Sequence, residues 1–128
     1  MAKTVVFDFD GVIHNYSNGW TAPHIIDDKP VPGIREAIAD IRKAGYVVVI
    51  MSVRCSYTGG KKAIAEWCKD NDIIVDDIVA EKPPAMCYID DRAICFDGHP
   101  ETLLNKIDRF IPLNKLTMYS GEKEKGEV

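Results

Sequence analysis

Apolar residues fall in short blocks along this chain, and the blocks alternate between two periodicities. Thr4 to Asp8 is a continuous run of β-branched and aromatic residues, the pattern of a strand buried on both faces. Gly11 breaks it. From Ile13 to Pro32 no period holds, and Asn15, Ser17, Asn18, Gly19, Pro23, Asp27, Asp28, Pro30 and Pro32 all favour turns. A loop this long is uncommon unless it has a function, so a flap or small hairpin is expected over residues 13–32. Ile34, Ala37, Ile38 and Ile41 then recur at helical spacing behind Pro32, and Gly45 supplies a C-terminal cap.

Tyr46 to Met51 is a second buried strand. Gly59-Gly60 introduces a second helix, about Lys61 to Asn71, with Ile64, Trp67 and Cys68 inward. Ile73 to Val75 is expected as a third strand, Met86 to Ile89 as a fourth and Ile94 to Phe96 as a short fifth. A last helix is expected from about Pro100 to Phe110, with Leu103, Leu104, Ile107 and Phe110 on one face. Residues 1–112 thus read as one domain, and 113–128 as a charged, fraying tail. Strands alternating with helices imply parallel pairing and right-handed crossovers. The expected fold is a three-layer α/β sandwich around a mostly parallel sheet.

Composition narrows the function classes. The chain has 128 residues, a formal net charge of −4 and a pI near 5.3. An acidic balance argues against a broad electrostatic grip on nucleic acid or an anionic membrane. Asp8 interrupts the first apolar run too early for a signal-peptide core, and no apolar stretch approaches the ~20 residues that span a bilayer. Cys55, Cys68, Cys87 and Cys95 form no C-x-x-C pair. Reduced thiols in a cytoplasmic protein are the expectation.

Chemistry concentrates at the ends of the strands, where ligands bind in open parallel sheets. The first strand ends in Asp8-Phe9-Asp10-Gly11, the second in Ser52 with Arg54 close behind. Lys82 precedes the fourth, which ends in Asp90-Asp91. Asp8 and Asp10 lie two apart, so a continuing strand would turn both carboxylates to one face. Carboxylates so close repel unless a cation or a proton lies between them. Mg2+ takes hard oxygen ligands of this kind, and Asp91 from the neighbouring strand would complete a set with Asp8 and Asp10. Ser52 and Lys82 offer a hydroxyl and a fixed charge to phosphoryl oxygens. Arg54 would either grip a phosphate or carboxylate of the substrate or pair with an acid. His14, His24, Tyr16 and Trp20 lie in the flap, within reach of a substrate or packed on the scaffold.

Asp8-Phe9-Asp10-Gly11-Val12, then Ser52, Lys82 and Asp90-Asp91, each in its strand context and in this order, resemble the four motifs of the haloacid dehalogenase (HAD) superfamily over residues 4–98. The resemblance implies that Asp8 attacks phosphorus and becomes an aspartyl-phosphate, and that Asp10 protonates the leaving oxygen and then activates water. It implies that the Asp8 side chain, the Asp10 backbone carbonyl and Asp91 hold Mg2+, with Asp90 reaching the metal through water or positioning Lys82. Gly11, Ser52, Arg54 and Lys82 would face the substrate phosphate. An aspartate at position 10 favours phosphatase over dehalogenase chemistry.

With only residues 13–32 in the first gap, the chain resembles the small, nearly capless members. The implied substrate is an open phosphomonoester: a nucleotide, a sugar phosphate or a nucleic-acid end. A second copy of the chain would serve as lid in a homo-oligomer. The alternative is a phosphoacceptor signalling or phosphate-binding module without turnover. Receiver domains, however, place the acid pair first and the lysine last, whereas here an acid pair follows Lys82.

Overall fold

The structure, a computed structural model, describes residues 2–111 and 113. The expected tail over 113–128 lies outside the described residues except for residue 113.

Four strands form one parallel sheet: β1 Thr4–Asp8, β2 Val47–Met51, β3 Asp77–Val79 and β4 Cys87–Ile89, in the spatial order β3-β2-β1-β4. The register pairs Val5 with Val48 and Cys87, and Phe7 with Ile50 and Ile89, while Ile50 pairs with Ile78. Side chains alternate across a strand, so Val5, Phe7, Val48, Ile50 and Ile78 share one face. There they join Ile38 of helix α1 (Ile34–Lys43) and Ile64, Trp67 and Cys68 of helix α2 (Gly60–Asp70) in one core. Fully burying each large apolar side chain contributes about 1.5–3 kcal/mol. Val6 and Val49, equally buried, point to the other face.

Both long helices end as their sequences dictate. Gly45, at φ 101°, takes the left-handed position after α1; its N–H and that of Tyr46 return to the carbonyls of Arg42 and Ile41. After α2, Asp72 occupies that position at φ 57°, and the N–H groups of Asp72 and Ile73 cap Lys69 and Cys68.

This second cap displaces the third strand. The third strand runs over Asp77–Val79, not Ile73 to Val75. Ile73 is spent closing α2 and burying its own side chain, so the ladder starts later. Asp76 marks the start: its carboxylate accepts the Val48 N–H at 2.8 Å and pairs with Arg42. Ile94 to Phe96 forms no strand, and β4 is the last strand among the described residues. The run buries too little to be drawn onto the sheet, and Phe96 stays exposed. The last helix is shorter than expected: a 3-10 turn at Pro100–Thr102, then α3 at Leu103–Asp108. On its expected inner face, Leu104 and Ile107 are exposed.

Residues 13–32 form a strapped flap. At its base Val31 N–H bonds to Ile13 and Asn15 N–H to Lys29. Asp28 gathers the strands of the loop, accepting from the Ser17 N–H and hydroxyl, from Asn15 and from its neighbour Lys29. Those hydrogen bonds hold its carboxyl far below the usual range, the Ser17 hydroxyl foremost. Trp67 of α2 donates its indole N–H to the Asp28 carbonyl at 3.0 Å. No helix of the described residues is long and apolar enough to cross a membrane.

Candidate active site

Strand order places a crevice between β1 and β4. From β1 the chain moves to β2 and on to β3; it then returns past β1 to lay down β4. At such a reversal the loops leaving neighbouring strands diverge, opening a cleft at their carboxyl ends. Asp8 ends β1, and Asp90-Asp91 follow β4, on the two sides of this cleft. Carboxylate oxygens of Asp8, Asp90 and Asp91 all lie within 4.8 Å of one another.

The electrostatics of this trio are unbalanced. Burial, then the charges of Asp90, Asp91 and Asp10, push the Asp8 carboxyl up from an ordinary 3.8 to about 8, against a lowering hydrogen bond from the Phe9 N–H. Asp91 is also raised, by burial first and then by Asp90. Both Asp91 side-chain oxygens are buried without a hydrogen-bond partner. Gly11 makes room for them: its φ is +88°, and a Cβ there would stand 2.4 Å from Asp91 Oδ2. An orphaned carboxylate beside two more is a set of hard oxygen donors that fits a hard divalent cation.

Asp10 goes elsewhere. The Phe9 carbonyl accepts the N–H groups of Val12, Ile13 and His14, which turns the chain sharply after β1. The Asp10 carboxylate then meets two buried side chains. Arg54 donates from Nε to Oδ2 at 2.8 Å and from Nη2 to Oδ1 at 3.0 Å. His14 Nδ1 lies 2.8 Å from Oδ1. Because the Asp28 N–H donates to His14 Nε2 at 3.1 Å, the network assigns the ring proton to Nδ1, directed at Asp10. His14 is fully buried, stacked on Phe9 and edge-on to Trp67 and Tyr16.

Ser52 follows β2, buried, with its N–H on the Val79 carbonyl. Its hydroxyl accepts the Arg54 N–H at 3.2 Å and caps the 3-10 turn Val53–Ser56. As acceptor, that hydroxyl keeps its proton to donate. Lys82 turns to Tyr88, its ammonium 4.3 Å from the ring centroid. Among the described residues no ion pair joins Lys82 to Asp8, Asp90 or Asp91. Beside the carboxyl end of β3 opens a cleft of about 590 Å3, with Lys61, Glu81 and Lys82 on its walls.

No protein-family model matches this chain, and no curated protein matches it.

The structure therefore brings Asp8, Asp90, Asp91 and Gly11 together, and joins Asp10 to Arg54. Arg54 has no exposed surface in this arrangement to offer a substrate. Of the flap residues, Trp20 lies over the Arg54 guanidinium and His24 beside Gly59. Sequence reasoning left His14 undecided between substrate and scaffold. The four-residue spacing from Asp10 was the available signal, but only the turn after Phe9 brings the two together.

Proposed function

We propose that this chain is a magnesium-dependent phosphomonoester hydrolase of HAD type that works through an aspartyl-phosphate on Asp8. The observation that carries the reading is Asp91. Its two buried oxygens have no partner, they face Asp8 and Asp90 at the switch point of the sheet, and Gly11 keeps the space open. Burial of an unpartnered carboxylate is costly, and a structural role alone gives no return for it.

Asp8, Asp90 and Asp91 would hold the ion, together with the Asp10 carbonyl that the motif resemblance implies. Bound there, Mg2+ would supply positive charge to the phosphoryl oxygens and favour the ionised form of Asp8. The ionised Asp8 oxygen attacks phosphorus, and the bond to the leaving oxygen breaks as Asp10 gives that oxygen a proton. Asp10 then takes a proton from water, which attacks the aspartyl-phosphate and frees phosphate. Ser52 would donate a hydrogen bond from its hydroxyl to an oxygen of the transferring group. Lys82, whose ammonium rests over the Tyr88 ring, would supply a fixed positive charge to the same group.

The three-layer HAD-like architecture and a cytoplasmic setting belong to the same reading. With the flap strapped to α2 and no cap domain between residues 13 and 32, the site suits an open substrate such as a nucleotide, a sugar phosphate or a nucleic-acid end. A second copy of the chain serves as lid where one is needed.

The test is phosphate release with Mg2+ from a panel of nucleotides, sugar phosphates and 3′- or 5′-phosphorylated oligonucleotides, with Asp8→Asn and Asp10→Asn alongside. Release by the wild type that both variants lose is the expected result. A wild type that binds Mg2+ yet releases no phosphate from any ester would overturn the reading.

A further inference from the structure

Arg54 is the largest of the fully buried side chains among the described residues, and a buried charge is retained only with good partners. Its partners come from two places. Nε and Nη2 fork onto the two oxygens of Asp10. Nη1 donates to three flap carbonyls, Ala22 at 2.9 Å, Pro23 at 3.0 Å and Ile25 at 3.1 Å. The Trp20 ring covers the guanidinium carbon at 4.6 Å. From the other side of Asp10, His14 reaches Oδ1, and His14 is itself fixed by the N–H of Asp28, at the far end of the flap.

We propose that Arg54 is a positioning residue that makes the flap and the Asp10 carboxylate one mechanical unit. The planar fork dictates the direction of the carboxylate, and the three carbonyls dictate the position of the fork. A guanidinium is needed for this geometry, because an ammonium offers no second prong to Asp10 while holding the flap. The proposal rests on the role given to Asp10 above: a carboxyl group that must pass its proton to the leaving oxygen, and later take one from water, loses rate when its direction wanders. It assigns Arg54 no contact with substrate. Residues 20–28 thereby act on the chemistry through Arg54 and His14, and loosening that segment releases Asp10.

Two measurements on the full chain test it. The first is amide hydrogen exchange over residues 20–28 in metal-free wild type, Asp10→Asn and Arg54→Lys. Both variants are expected to speed exchange in this segment tenfold or more, with exchange in β1 and β2 unchanged. Unaltered protection of the flap in Asp10→Asn would overturn the proposal, since an Arg54 that merely braces the flap does not need the Asp10 charge.

The second compares an alkyl phosphate with p-nitrophenyl phosphate, whose leaving group departs without a proton. In Arg54→Lys the loss of kcat/KM, which reports the first transfer and not the later hydrolysis common to both esters, is expected to be tenfold or more greater on the alkyl ester than on the aryl ester, with KM little changed. Equal losses on both esters, or a loss confined to KM, would overturn the assignment. A wild type inert on both esters removes the phosphatase reading, and the exchange measurement then still decides whether Asp10 and the flap are coupled.

Discussion

Gly11 and Asp91 are fitted to each other: the hydrogen that glycine carries in place of a side chain points at a carboxylate oxygen, and a Cβ there would come within 2.4 Å of it. Gly11→Ala must therefore push Asp91 out of its place beside Asp8, and must do so at φ +88°, where a side chain costs about 1 kcal/mol in backbone strain alone. We expect the variant to fold with reduced stability and to bind Mg2+ at least tenfold more weakly. Titration calorimetry, with Mn2+ as a second probe, checks this; unchanged affinity would place the cation elsewhere.

The raised Asp8 carboxyl gives the metal-free protein a particular pH dependence. An unfolded Asp8 ionises near 3.8, whereas the folded one holds its proton until about 8. The folded state binds the extra proton between these values, so this group's contribution to stability is full below about pH 4 and is lost as pH rises toward 8. Asp8→Asn is accordingly expected to raise the melting temperature in EDTA at pH 8 and to leave it nearly unchanged at pH 4. Mg2+ should stabilise the wild type more at pH 8 than at pH 5, because it competes with that proton. A melting temperature of Asp8→Asn below wild type at pH 8 in EDTA would contradict the geometry.

Asp28 works in the opposite direction. Its carboxyl lies far below the ordinary value because Ser17, Asn15 and Lys29 donate to it. Stability from this group is present above about pH 4 and is lost as pH falls further. Asp28→Asn should thus be less stable than wild type at pH 6, with the gap closing toward pH 2. Thermal melts across that range read it directly.

Gly60 tests the seating of the site on α2. A Cβ there would meet the Arg54 carbonyl oxygen at 1.7 Å, a backbone atom that cannot move aside. Gly60→Ala is expected to destabilise by at least the 1–3 kcal/mol or so typical of overpacking, seen as a lower urea midpoint. It should also reduce turnover by displacing the turn that carries Ser52 and Arg54.

Trp67→Phe removes the indole bond to the Asp28 carbonyl while keeping most of the ring. Loss of one such bond costs about 1 kcal/mol. Urea unfolding should show that loss, and amides of residues 26–29 should exchange faster.

Much of the fold was legible because it is local. Continuous β-branched runs at Thr4–Asp8 and Val47–Met51 have one stable use, as strands in the middle of a parallel sheet, and the Ile34–Ile38–Ile41 spacing has one as a helix face. Gly45 announced its cap for the same reason. Where short runs competed, local reading failed: Ile73 to Val75 had the composition of a strand, yet closing α2 claimed Ile73 first. Leu104 and Ile107 had the spacing of an inner face, and the structure leaves both exposed.

The site divides the same way. Which residues carry acids, a hydroxyl and a lysine at strand ends is written in the sequence, since strand ends follow from local pattern and the switch-point rule places them on one edge. How those residues pair was decided only in three dimensions. Asp10 is separated from Arg54 by forty-four positions and Asp28 from His14 by fourteen, and no periodicity spans such distances. The turn at Phe9 sets the Asp10 carboxylate on Arg54 and His14, the strand order brings Asp90 and Asp91 across from β4, and burial then raises Asp8 and strands the oxygens of Asp91. Proximity of like charges at the end of a sheet is a property of packing, and sequence determines it only through the fold.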